Sequence, residues 1–180
     1  FGEAIMGIRG NVPWLSTRTV AAGAVALLFI LAWMGADWAT KFQYVVMALL
    51  AAALFSFFSG GLPRWESAQL VQNWNAPEAG PPFWVLFAIF FPAVTGFTQG
   101  VSMSGDLKDP GKSLPLGTFF AVGISIVVYL GAAILFAGVL PRENLARDYA
   151  SIWGVARFDF LIDAGVIAAT LSSAMASFLG

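Results

Sequence analysis

Five apolar stretches constrain this chain more than anything else in it: each approaches the length of a bilayer crossing, and none has a charged residue at its centre. They cover about 18–35, 42–59, 83–101, 117–140 and 160–180. A helix rising about 1.5 Å per residue needs roughly 17–25 residues to cross ~30 Å of hydrocarbon. Charged residues sit between the stretches or at their rims. Trp14, Trp33, Trp38, Trp65, Trp74, Trp84 and Trp153 lie near the ends, where amphipathic rings prefer the headgroup level. Only 11% of residues are charged, against about 25% in soluble domains. The chain therefore reads as an all-α polytopic membrane protein, a single membrane domain over residues 1–180. Beginning at Phe1 and ending within an apolar run at Gly180, it also reads as a piece of a longer protein.

Composition narrows the chemistry further. With no Cys and no His, disulfides, thiol catalysis, imidazole acid–base work and most zinc sites are excluded together. The net charge of −1 gives no reason to expect a nucleic-acid partner. A non-enzymatic protein without a cofactor is expected, with the lipid bilayer as its surroundings.

The stretch at 83–101 differs from the other four, which read as continuous helices. Pro92, Gly96, Gly100 and Gly105 punctuate it. Proline removes a backbone donor and glycine lowers helix propensity, so a break between Pro92 and Gly96 is predicted. Backbone freed at membrane depth must be satisfied by protein, water or ions. In secondary transporters such broken helices place half-helix termini and bare carbonyls beside the transported ions. A plain proline kink is the competing reading. Of the connections, 60–82 reads as a polar surface loop, 104–115 as a turn-rich segment that is not helical throughout, and 141–157 as a short interfacial helix.

Intramembrane carboxylates mark many proton-coupled carriers, and none lies mid-span here. Asp37, Asp159 and Asp163 fall at span ends and read as solvated residues. Neutral oxygen ligands are the expected alternative. In the last stretch, Ala169 precedes Ser172 and Ser173 by three and four residues, so all three share one helical face. One carbonyl and two hydroxyls would suit Na⁺. Against this stands a packing role, since Gly165, Ala169, Ser173 and Ser177 form a small-residue stripe. Thr95 follows Pro92 by three residues and can bond a backbone carbonyl. Tyr129 reads as a packing or hydrogen-bonding residue.

Phe90–Thr118, FFPAVTGFTQGVSMSGDLKDPGKSLPLGT, resembles the sixth transmembrane segment and following loop of the cation–chloride cotransporters. Ala168–Ser177, AATLSSAMAS, is similar to the eighth segment of that family's sodium-coupled branch. Lys41-Phe-Gln-Tyr resembles the K-x-Q that opens the fifth segment. Lys112-Ser-Leu-Pro, by contrast, is closer to the potassium–chloride branch. The resemblance implies a LeuT-type inverted-repeat transporter of the amino acid–polyamine–organocation superfamily, with the five transmembrane helices as its fourth to eighth and one of them discontinuous. It further implies a symporter moving chloride with sodium, potassium or both by alternating access. Pro92 and Thr95 would bind K⁺, backbone amides of Gly96, Phe97 and Thr98 would bind Cl⁻, and Ala169, Ser172 and Ser173 would bind Na⁺. An amino-acid or polyamine permease of the same superfamily is the alternative. Short loops without an Asn-x-Ser/Thr sequon point to a prokaryotic plasma (inner) membrane, and a homodimer is compatible with this reading. The family's topology places Lys41, Lys108 and Lys112 in the cytoplasm and six Arg outside. That count opposes the positive-inside rule.

Overall fold

A computed structural model describes residues 16–33, 36–75, 80–96, 104–148 and 150–179. Helices follow in the order α1 (Thr17–Trp33), α2 (Ala36–Gly61), α3 (Ser67–Trp74), α4 (Phe83–Phe90), α5 (Pro110–Val139), α6 (Arg142–Arg147), α7 (Ser151–Val155) and α8 (Asp159–Leu179). Tight 3₁₀ turns occupy Leu62–Arg64, Phe91–Val94 and Ser104–Asp106, and no strand occurs among the described residues. Among the described residues, three segments are long and apolar enough to cross a membrane: Thr40–Arg64, Pro110–Val139 and Asp159–Ser177. The segments Thr17–Trp33 and Phe83–Val94 are shorter apolar helices. The second of these stops where its backbone breaks.

Contacts group the chain into two compact units, Phe1–Gly60 with Ile152–Gly180, and Gly61–Ser151. In the first unit, α1 begins at Ser16, whose hydroxyl accepts from the Thr19 amide at 3.2 Å. This is an N-cap that satisfies one of the helix's orphan donors. Leu28 of α1 and Met175 of α8 form a buried centre, with Leu31, Phe42, Leu171 and Ala174 around it. Farther along α2, Ser56 and Phe57 are fully buried. Gly165 of α8 approaches Ala53 so closely that a Cβ would meet the Ala53 methyl at 2.7 Å. The small-residue stripe thus serves packing at that position.

The second unit is organised around α5. Proline at the first helical position fixes φ where its missing donor costs nothing, so α5 starts at Pro110 rather than near Gly117. Pro115 is carried inside the helix, near its exposed first turns. The polar stretch 60–82 is not simply a loop, because it contains α3, which lies against the far end of α5. The segment 141–157 holds two short helices, α6 and α7, rather than one.

α5 ends in side-chain donors from the α3 region. The Trp65 indole donates to the Ile134 carbonyl at 3.2 Å. The Asn73 amide donates to the carbonyls of Ala137 (2.8 Å) and Leu140 (2.9 Å), and the Gln69 amide donates to Leu140 at 3.3 Å. The last carbonyls of a helix have no partner within it, and here α3 supplies one.

Candidate functional site

The break in the third apolar stretch is built from proline, a hydroxyl and one glycine. α4 gives way to the 3₁₀ turn Phe91–Val94, and Thr95 is extended at φ −90°, ψ 177°. Gly96 follows at φ +94°, a left-handed conformation that residues with a Cβ rarely adopt. Helical hydrogen bonding cannot pass through that sequence of angles. The predicted break between Pro92 and Gly96 is where the helix ends.

Two local bonds hold the broken end. The Thr95 hydroxyl donates to the Pro92 carbonyl at 2.8 Å, and the Thr95 amide reaches the same oxygen at 3.4 Å. Thr95 therefore bonds back to its own turn. From α5, the Tyr129 hydroxyl donates to the Ala93 carbonyl at 2.7 Å, and its ring meets Phe90 edge-on at 5.5 Å. Tyr129 is a hydrogen-bonding residue, and its partner is the break itself. The break and α5 enclose a groove of about 190 Å³ lined by Thr95, Ser125 and Tyr129 among apolar neighbours. A half-helix ending in carbonyls presents the negative end of its dipole, which suits a cation beside Pro92 and Thr95. Phe97 and Thr98 lie outside the described residues, so of the expected chloride positions only Gly96 is described.

Ala169, Ser172 and Ser173 sit on α8, in the other unit. The Ala169 side chain lines an apolar groove with Leu50, Ala53 and Ile162, leaving its carbonyl as the only oxygen it can offer. Ser173 is exposed, and its carbonyl accepts from the Ser177 hydroxyl at 3.2 Å. Ser172 is half-buried and donates to Oε1 of Gln43 at 2.7 Å. Gln43, on α2, belongs to the Lys41-Phe-Gln motif, whose spacing gives no sign of this contact. Only the fold brings it to the serine pair.

The carboxylates divide. Asp163 accepts from the Trp153 indole, so it is not the merely solvated end residue expected from its position. The Asp159 carboxylate accepts from the Phe160 amide at 2.8 Å, at the start of α8. The side chain of Asp37 lies outside the described residues. No group of three or more acidic residues able to hold a metal ion occurs among the described residues.

A family model described as amino acid permease matches residues 2–180. The chain belongs to the amino acid permease family. Similar curated proteins include members of solute carrier family 12, in agreement with the motif resemblance. Solute carrier family 12 member 8 of Mus musculus is 31% identical over 190 residues, covering 100% of this chain and 27% of that protein. The Homo sapiens protein of the same name is 30% identical with the same coverage. Solute carrier family 12 member 2 of Danio rerio is 28% identical over 212 residues, 89% of this chain and 19% of that protein. The chain thus spans about a quarter of the length of the first of these relatives. All three come from animals, so the prokaryotic placement rests on loop length and the missing sequon alone.

Proposed function

We propose that this permease-family chain is the central part of a secondary-active symporter that moves chloride together with sodium, potassium or both by alternating access. The observation that carries the proposal is the helix break, where the Thr95 hydroxyl bonds the Pro92 carbonyl and Thr95 lines a groove shared with Tyr129 of α5. Pro92 and Thr95 are assigned to K⁺, the amides following the break at Gly96, Phe97 and Thr98 to Cl⁻, and Ala169, Ser172 and Ser173 to Na⁺. Neutral oxygens suit the two cations, and half-helix N-termini suit the anion. Coupling requires that each ion bind the conformers with different affinity. The proposal includes five membrane-crossing helices of the LeuT type, a prokaryotic plasma (inner) membrane location and a homodimeric assembly.

A permease for amino acids or polyamines is the second reading, favoured by the description of the matching family. In that case the amides at Gly96–Thr98 would cradle a carboxylate.

The deciding experiment is uptake of Rb⁺ (standing in for K⁺) and of Na⁺ by the full-length protein in proteoliposomes. Each cation is run with chloride, with gluconate and with competing amino acids. Uptake that collapses in gluconate and ignores amino acids is the expected result. Chloride-independent Na⁺ uptake driven by an amino acid would replace the symporter reading with the permease one. Ser173→Ala is expected to weaken Na⁺ dependence far more than chloride affinity. Equal losses in both would remove the serine pair from the sodium site.

A further inference from the structure

We infer that Gln43 is a positioning residue for the sodium site: its side-chain oxygen accepts the Ser172 O–H, so that the Ser172 lone pairs are left for the ion. The inference rests on the sodium reading of the serine pair and extends it to a second helix.

A hydroxyl carries one proton and two acceptor lone pairs. To coordinate a cation it must point the proton elsewhere, and a hydroxyl with no acceptor nearby must be reoriented each time the ion binds. Ser172 has an acceptor already, Oε1 of Gln43 at 2.7 Å. Both side chains are half-buried, so water competes weakly for that bond. Ordering the rotor before the ion arrives lowers the cost of binding.

The start of α2 is arranged to keep Gln43 in place. The two residues before it, Lys41 and Phe42, take separate partners. The Lys41 ammonium lies over the Trp38 ring at 4.9 Å, and Phe42 packs into the Leu28–Met175 centre that joins α1 to α8. Gln43 is then the residue directed at Ser172. The Lys-x-Gln spacing separates a charged, an apolar and an amide side chain, and the amide bonds Ser172.

The test is ion-dependent uptake by the full-length protein in proteoliposomes, with Gln43→Leu and Gln43→Glu compared with wild type and with Ser173→Ala. Leucine removes the acceptor at similar size. The sodium concentration for half-maximal uptake is expected to rise about tenfold, equivalent to about 1.4 kcal/mol, with chloride half-saturation unchanged. Glutamate keeps the acceptor and adds a negative charge, so sodium half-saturation is expected at or below the wild-type value. A leucine variant within twofold of wild type for sodium overturns the inference, and so does one that shifts sodium and chloride together. If the leucine variant fails to elute as a monodisperse protein, the glutamate variant decides, because a sodium half-saturation above wild type overturns the inference. Wild-type uptake indifferent to Na⁺ overturns the sodium reading and this inference together. Sodium dependence lost in Ser173→Ala but untouched in Gln43→Leu overturns this inference alone.

Discussion

Ser56 and Phe158 lie 102 positions apart and exchange two hydrogen bonds of 2.8 Å, the Ser56 hydroxyl donating to the Phe158 carbonyl and accepting from the Phe158 amide. The neighbouring Arg157 amide donates to the Ser56 carbonyl at 3.0 Å. A single buried side chain on α2 therefore satisfies both polar backbone groups of the residue that leads into α8. An unpaired buried backbone group costs about 1–3 kcal/mol. Ser56→Ala strips the Phe158 amide of its partner, while the Phe158 carbonyl keeps the Leu161 amide at 3.2 Å, and is expected to lower the apparent Tm of the full-length protein in detergent by a few degrees. Ser56→Thr, which keeps the hydroxyl, is expected to lose less. Equal Tm values for wild type and Ser56→Ala would mean that water replaces the hydroxyl at no cost.

One helical turn farther on, Gly60 faces the same segment. A Cβ there would overlap the Val155 carbonyl oxygen and the Arg157 amide nitrogen. Backbone cannot swing aside as a side-chain end can, so Gly60→Ala must part α2 from the residues before α8. Overpacking typically costs about 1–3 kcal/mol, occasionally more, and this change is expected at the upper end or beyond. Gly23→Ala on α1 is the control, since nothing lies within 4 Å of its Cβ position. It removes a flexible residue from a helix and is expected to stabilise by about 0.5–1 kcal/mol. Yield of monodisperse protein and Tm read both changes. Loss of Tm in Gly23→Ala as large as that in Gly60→Ala would mean that the close approach is not what Gly60 is needed for.

What could be read from the sequence followed the range of the interaction. The break between Pro92 and Gly96 was legible because a missing donor and a residue without a Cβ act locally, on their own backbone. The apolar helices were legible from run length. The start of α5 was not: the turn residues of 104–115 placed it near Gly117, whereas Pro110 at the first helical position allows the helix to begin earlier. The helix α3 was hidden in a polar stretch, because its Asn and Gln residues serve the carbonyls of α5 rather than solvent. Trp65 was placed at the membrane rim by its amphipathic ring, yet its indole is committed to Ile134. Gln43 and Ser172 meet across 129 positions, and no spacing rule reaches that far. Of the candidate site, Pro92, Thr95, Ala169, Ser172 and Ser173 are proposed from residue chemistry and family likeness. That Tyr129 bonds the intervening Ala93 carbonyl and that Gln43 bonds Ser172 needed the fold.

The capping of α5 by α3 yields a prediction whose sign depends on charge. Asn73 donates to two carbonyls at the C-terminal end of α5, where the helix dipole is negative. Asn73→Ala removes both bonds, each worth about 0.5–1.5 kcal/mol net. Asn73→Asp removes the same donors and adds a negative charge beside the negative helix end. The expected order of Tm is wild type, then alanine, then aspartate. An aspartate variant more stable than alanine would show that the charge at this end is screened by Arg142, whose guanidinium donates to the carbonyls of Gln72 and Asn75.

Tyr129 separates the two ways in which the break can matter. Its hydroxyl holds the carbonyl of Ala93, the residue after Pro92 and two before Thr95, while its ring keeps an independent contact with Phe90. Tyr129→Phe removes the first and retains the second. Loss of one hydrogen bond of about 1 kcal/mol loosens the turn that carries the Pro92 and Thr95 oxygens. The expected result is an Rb⁺ half-saturation raised about three- to tenfold, with sodium half-saturation unchanged and Tm lowered only slightly. Sodium and rubidium shifting together would mean that the bond sets the conformational equilibrium of the whole carrier. No shift in either, with Tm lowered as much as by Ser56→Ala, would mean that Tyr129 only braces the fold and that the geometry of the break does not depend on it.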